Sequence, residues 1–434
     1  MLALMTALLL SQSGPLLGPA EAFPGDGAHA EGAQGVHDPI VFQVGDTFYA
    51  FCTSGNGFSV LRTSRDLLRW KVWGPVLPET PEWLRKRIPQ HRSLWAPDCI
   101  RVGRALRMYY CASERFGGNG SVIGFAENPD PNPEKPLQGW VDRGMVLESV
   151  QGVDTFNAID PEVLVLPNGR QFLFFGSYFA GLYVQELDPK TGKLKHPDHS
   201  DRTLVARNTM DRGNALEAAA VIQRDGWTYL FVSYGLAAQG VRSTYRIVVG
   251  RSKSPTGPFV DSNGVPMVDG GHTVVLRGSP PMFAPGHCDV LRASDGRWLM
   301  PYHFYDGREH WHGDVWGLPT LQIRELLWSE DGWPLPGLPV EWVGRPKGGA
   351  PGVEGVWLHQ ADFGRVLRVR LEPGGVLREG DRTGRWTRSG DRLTLEWPKP
   401  EGGYWTDTVR LAYDGWYYVG RNDAGMVIRG FREP

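Results

Sequence analysis

The sequence predicts an all-β chain, a five-bladed β-propeller followed by a C-terminal small β-barrel-like accessory domain. Three observations carry that reading: a strand–turn–strand unit that recurs five times, an abundance of glycine, proline and aromatic residues, and a change of pattern near residue 346. Gly (56) and Pro (34) are too frequent for long helices, and Trp, Tyr and Phe make up 11% of the chain, a mix that suits short strands joined by turns.

In the first unit Asp38 leads into the strand-like run from Ile40 to Val44, a Gly45-Asp46 turn, and a second run from Thr47 to Cys52. Asp98 opens the second, with Cys99 to Val102, a turn near Gly103, and Leu106 to Cys111. Asp160 opens the third, with Glu162 to Leu166, the turn Pro167-Asn168-Gly169-Arg170, and Gln171 to Phe175. Glu217 opens the fourth, with Ala218 to Ile222, the turn Asp225-Gly226, and Trp227 to Tyr234. His287 opens the fifth, with Cys288 to Arg292, the turn Asp295-Gly296, and Trp298 to Phe304. The openings are spaced by 60, 62, 57 and 70 residues, room for a four-stranded sheet with its loops in each unit. A β-sandwich or parallel β-helix would use similar strands, but the regular spacing favours radial blades. Blades around an axis bring their first strands together, so Asp38, Asp98, Asp160, Glu217 and His287 are expected as neighbours, with Ala218 to Ala220 suiting a crowded axial position. Past Pro346 the repeat stops, and alternation such as Leu367, Val369, Leu371 marks a smaller β unit.

Three segments follow: a signal peptide at 1–22, the propeller at 23–345 and the accessory β domain at 346–434. The first ten residues are apolar, and Ala20-Glu21-Ala22 resembles a signal-peptidase site, although no Lys or Arg precedes the apolar run. That stretch is too short to span a bilayer, so a secreted or periplasmic protein without a membrane span is expected. A net charge of -2 gives no basic excess for gripping nucleic acid. Four cysteines in 434 residues do not form a disulfide framework and are expected as free, buried thiols. A monomer is expected.

Cleaving a glycosidic bond requires one carboxylic acid to protonate the leaving oxygen and one carboxylate to activate water or attack carbon. Asp38, Asp160 and Glu217 can supply them, because like charges in one cleft push at least one pKa upward. Singly, Asp38-Pro39 and Asp160-Pro161 read as ordinary turn residues; their matched places in a repeat favour the chemical reading. Trp95, three residues before Asp98, and Phe116, in the Gly-rich loop that follows a blade strand, are candidate flat surfaces for sugar C–H faces. His287 could bind a metal, pair with an acid or satisfy a carbonyl. No HExxH, zinc-type Cys/His spacing, EF-hand loop, phosphate-binding loop or Gly-x-Ser-x-Gly motif occurs, and no organic cofactor is expected.

With these residues in view, the chain resembles the endo-1,5-α-L-arabinanases of glycoside hydrolase family 43 over about residues 35 to 340. The resemblance is carried by His37-Asp38-Pro39, TSRDLLRW (63–70), WAPD (95–98), NAIDPEV (157–163), the Glu217 strand, STYRIVVGRS (243–252), TGPF (256–259), PGH (285–287) and YHFYDG (302–307). It implies hydrolysis of arabinan and arabino-oligosaccharides with inversion, Asp38 as general base, Glu217 as general acid, and Asp160 raising the pKa of Glu217 and orienting it. It also implies Trp95, Phe116, Asn157 and Ser177 along the substrate cleft, and a structural calcium or sodium ion at the axis near His287, held largely through waters. Two departures from the family pattern are Leu236-Ala237-Ala238-Gln239, where a cysteine pair is common, and Cys288 after the axial His. An exo-acting α-L-arabinofuranosidase or β-xylosidase of the same fold is the alternative among enzymes. A non-catalytic carbohydrate-binding propeller is the alternative outside them, and the presence of all three carboxylates argues against it.

Overall fold

The computed structural model describes residues 22–54, 59–90, 93–210, 213–342, 346 and 348–434. All of the expected signal peptide but Ala22 lies outside them. Each of the five units folds into its own antiparallel sheet. Blade 1 runs from His37–Val44 to Lys71–Pro75, blade 2 from Trp95–Val102 to Val141–Ser149, and blade 3 from Glu162–Val165 to Thr203–Ala206. Blade 4 runs from Leu216–Arg224 to Thr273–Leu276 and blade 5 from Met282–Gly286 to Pro334–Pro339. Eight further strands, Gly355–Ala361 through Val427–Arg432, close into a barrel. The only α-helix among the described residues is Glu82–Arg87, and no helix there is long and apolar enough to cross a membrane.

Apolar faces of neighbouring blades make the core. Phe172, Phe174 and Leu182 of blade 3 pack on Val221, Leu230 and Val232 of blade 4, for example. The ring closes where Val41, Phe48 and Ala50 of blade 1 meet Leu299, Leu321 and Ile323 of blade 5. The segment before blade 1 lies along blade 5 there, with Val36 N–H donating to Pro319 O at 3.1 Å and Leu321 N–H to Ala33 O at 2.9 Å. All four cysteines are free and buried.

Three of the innermost strands carry the same irregularity. Asp38-Pro39, Ala96-Pro97 and Ala218-Ala219 occupy the register shifts between His37 and Ile40, Trp95 and Asp98, and Glu217 and Ala220. Asp160 and His287 take the corresponding places beside the strands Glu162–Val165 and Met282–Gly286 of blades 3 and 5, where Gly176 N–H donates to Ile159 O and Asp289 N–H to Pro301 O, both at 2.9 Å. All five leading residues have left-handed backbones: Asp38 (φ 50), Ala96 (φ 41), Asp160 (φ 52), Ala218 (φ 59) and His287 (φ 45). For a residue with a Cβ this conformation stores strain, and a bulge re-aims the side chains beside it.

This register corrects the expected equivalence of the five openings. Ala96, not Asp98, matches Asp38, and Glu217 stands one residue ahead of its bulge, in the place of His37 and Trp95. Asp98 lies two residues further along and belongs with Glu162 and Asp289 to a separate tier of buried carboxyls. A one-residue offset in a strand sends a side chain to the other face, which spacing read to within a few residues does not resolve.

The barrel packs on blades 4 and 5. Phe363, Trp416, Tyr417, Val419 and Phe431 share one buried cluster with Phe23, Val275, Met282, Leu335 and Leu338. At the centre of the contact the fully buried Asp26 carboxylate is paired with Arg324 of blade 5 and Arg429 of the barrel. Burial alone would raise the pKa of Asp26, but Arg429 and Arg324 together hold it below the usual carboxylate range.

Candidate active site

A cleft of about 1120 Å³ opens at the axis, and its lining includes Asp38, Asp160, Glu217 and His287 together with Trp95, Phe116, Asn157 and Ser177. Asp98, Glu162 and Asp289 are absent from that lining. They use their carboxyls between blades: Asp98 accepts Val163 N–H at 2.8 Å, Glu162 accepts Val221 N–H at 2.8 Å, and Asp289 accepts Val41 N–H at 2.9 Å.

Asp38 Oδ1 lies 3.0 Å from His287 Nδ1. Burial would raise the Asp38 pKa, but the His287 imidazole, by charge and hydrogen bond, holds it far below the usual range. Burial in turn would lower His287, and Asp38, with smaller contributions from Asp160 and Glu217, pushes it up to about 9. Around neutral pH this is an ionised carboxylate beside an imidazolium.

Glu217 behaves oppositely. Burial, followed at a distance by the Asp38 charge, pushes it up to about 7, against the pull of the Ser177 hydroxyl and of His287. Ser177 Oγ donates to Glu217 Oε2 at 2.6 Å, and the two residues also form a backbone bridge between blades 3 and 4. Ser177, expected along the substrate cleft, is therefore engaged with the acid itself. Tyr245 OH donates to the other oxygen, Oε1.

Asp160 is raised well above the usual range by burial, with Glu217 and Asp38 adding to the rise and His287 opposing it. The lift on Glu217 thus has burial as its first cause. Asp160 also accepts the backbone N–H of Ala218, the bulge residue directly after Glu217, which ties it to the local geometry that aims the acid.

The aromatic and polar candidates differ in kind. Phe116 is 94% exposed, at the edge of the cleft. Asn157 is buried and donates from Nδ2 to Gly118 O at 3.3 Å, so it braces the loop that carries Phe116. Phe179, which sequence reasoning did not single out, lines the cleft as well. Its left-handed backbone is held by Asn214 Nδ2, which donates to the carbonyls of Tyr178 and Phe179 at 3.2 and 3.0 Å.

His37, Asp38 and His303 form a group that could hold a metal ion, their ligand atoms all lying within 4.8 Å of one another. The two imidazoles stack with centroids 4.6 Å apart, and both Nε2 atoms are buried without a partner. Two nitrogens and one carboxylate suit a borderline divalent ion better than the oxygen shells that calcium prefers. His287 stands outside this group, its Nδ1 being taken by Asp38.

Comparison with known proteins is consistent with this architecture. The profile described as Glycosyl hydrolases family 43 matches residues 32–334. An extracellular exo-α-(1→5)-L-arabinofuranosidase of Cellvibrio japonicus is 34% identical over 306 residues, 69% of this chain and 85% of that protein. An extracellular endo-α-(1→5)-L-arabinanase of Bacillus subtilis is 34% identical over 303 residues, 69% of this chain and 87% of that protein. Among solved structures, a GH43 endo-arabinanase of Bacillus licheniformis superposes with a TM-score of 0.64 at 33% identity, covering 71% of this chain and 99% of its own. An endo-1,5-α-L-arabinanase of Thermotoga petrophila gives 0.75 at 23% identity, covering 94% of this chain and 100% of its own, so its fold extends over the barrel as well.

Proposed function

The chain belongs to glycosyl hydrolases family 43, and from that premise we propose that it hydrolyses the α-1,5-L-arabinofuranosidic bonds of arabinan, cutting within the chain and inverting the anomeric centre. One observation carries the reading: Asp38, held ionised by the His287 imidazole 3.0 Å away, and Glu217, gripped by the Ser177 hydroxyl at 2.6 Å and pushed up to about 7 by burial, face the same cleft. Those are the states a base and an acid require near neutral pH.

In the proposed step a water oxygen bonds the anomeric carbon and passes its proton to Asp38. The Glu217 O–H bond breaks as its proton moves to the departing glycosidic oxygen, and the bond from that oxygen to the anomeric carbon breaks. Asp160, through Ala218 N–H, holds the turn that aims Glu217. Trp95 and Phe116 offer their faces to neighbouring sugar rings, and Asn157 keeps the Phe116 loop in place. No step above depends on the calcium or sodium ion expected near His287, which a charged His287 imidazolium would repel.

Action on arabinan and export from the cell rest on the named activities and extracellular location of the two relatives and, for export, on the leader-like residues 1–22. The exo-acting alternative is favoured by one observation, the exo-acting relative being as similar as the endo-acting one. The size of the first products on linear arabinan separates them. An endo enzyme releases oligosaccharides of mixed length while viscosity falls early, whereas an exo enzyme releases one short product and viscosity falls late.

A further inference from the structure

Glu217 is gripped from both sides, and only the Ser177 side lies in the same blade-to-blade bridge. The other grip, Tyr245, comes from the far end of a loop in blade 4. Its place is fixed independently of Glu217. The loop is pinned by a reciprocal pair, Leu236 N–H donating to Thr244 Oγ1 at 2.9 Å and Thr244 N–H to Leu236 O at 2.8 Å. The ring is 4% exposed, lies against His303 with centroids 6.0 Å apart, and sits in a notch left by Gly286, where a Cβ would collide with it. Gly286 has no left-handed backbone to explain its presence, so its smallness serves the Tyr245 ring. Through that seat the hydroxyl reaches both the cleft and Glu217 Oε1.

We propose that Tyr245 is a positioning residue for the general acid: its hydroxyl fixes the plane of the Glu217 carboxyl and stabilises the carboxylate that appears as the proton leaves for the glycosidic oxygen. The proposal rests on the assignment of Glu217 as the acid. The last torsion of a Glu side chain is soft, so a donor on each oxygen is what gives the carboxyl one orientation. Both donors gain strength as the neutral acid becomes an anion, because a hydrogen bond to a charged acceptor is the stronger kind. An interaction stronger in the transition state than in the ground state raises kcat and leaves KM alone. No electrons change hands: the proton that Glu217 loses is the one the leaving oxygen gains, and Tyr245 keeps its own.

The test is Tyr245→Phe, which removes the hydroxyl and keeps the ring in its notch, assayed on two substrates. Linear arabinan has a sugar alkoxide as leaving group and needs the acid; an arabino-oligosaccharide carrying a nitrophenol leaving group does not. On arabinan, kcat is expected to fall about tenfold to a hundredfold with KM unchanged, the range set by loss of one charge-assisted hydrogen bond. On the nitrophenyl substrate the rate is expected to stay near that of the parent. A purely structural role would scale both rates alike, as would partial unfolding, so equal losses overturn the proposal, and so does an unaltered rate on arabinan. Ser177→Ala should show the same split from the Oε2 side. Glu217→Ala run alongside separates the two levels: if it slows both substrates equally, the acid assignment fails and takes the proposal with it. If Glu217→Ala shows the split and Tyr245→Phe does not, only the role of Tyr245 is lost.

Discussion

The Asp98 carboxyl in blade 2 accepts the amide of Val163 in blade 3 at 2.8 Å, and the same contact recurs from Glu162 to Val221 and from Asp289 to Val41. Three of the five blade-to-blade steps, including the one that closes the ring, are stitched by an acid two residues past a bulge. Ile40 and Ala220 hold the same place in blades 1 and 4 and offer no acceptor.

These stitches predict a pH-dependent stability. Burial first, then the Asp289 charge, pushes Asp98 up to about 8, and burial pushes Asp289 up to about 6. A carboxyl in the unfolded chain ionises near 4. Its folded pKa being higher, each group contributes stability that is fully present below about pH 4 and lost as pH rises through the folded value. The melting temperature of Asp98→Asn, which still offers an acceptor to Val163, should fall less steeply between pH 4 and 8 than that of the parent. Parallel melting profiles would mean that Asp98 does not hold its proton in the folded protein.

Removing any of the three cleft carboxyls should abolish most activity while leaving the fold intact. Asp38→Ala, Asp160→Ala and Glu217→Ala are each expected to lose at least about a hundredfold in kcat/KM on arabinan. Circular dichroism and melting curves check that the proteins are folded. Full activity in any one variant would remove that residue from the mechanism.

Phe116 is almost wholly exposed and lines the cleft, so the proposed contact with a sugar ring can be tested apart from folding. Phe116→Ala should raise KM for arabino-oligosaccharides several-fold and leave the melting temperature unchanged. A lowered melting temperature with unchanged KM would make the ring a packing element.

Asp26 joins propeller to barrel through two buried arginines, with Arg429 Nη1 at 3.0 Å from Asp26 Oδ1. Asp26→Ala leaves both guanidinium groups without their buried countercharge, a loss of about 3–5 kcal/mol. The melting temperature should drop by many degrees, whereas an exposed pair such as Lys86 and Glu82 can be removed with little effect. A barrel that tolerates Asp26→Ala would be held by its apolar contact alone.

Much of this protein is legible in its sequence, for physical reasons that differ by element. The blades are legible because each is a local unit with its own turn, and the closed barrel because its alternation is local too. Asp38 and Asp160 are legible as acids at matched positions of the repeat, and Glu217 lies one residue from the match. The register is not: the bulge inserts a residue without changing composition, so in the sequence Asp98 groups with Asp38 although it lies two places beyond the match, at Ala96. The Asp26–Arg324–Arg429 cluster joins residues 298 and 403 positions from Asp26, and no local pattern marks such partners. Tyr245 stood inside a motif, but its partner is found only when Gly286 is seen to make room for it.

The most direct measurement is proton NMR of the anomer first released from linear α-1,5-arabinan. With Asp38 activating water opposite Glu217, the β-furanose should appear first and relax to the equilibrium mixture. First appearance of the α anomer would make Asp38 a nucleophile, and no release of sugar at all would overturn arabinan as the substrate.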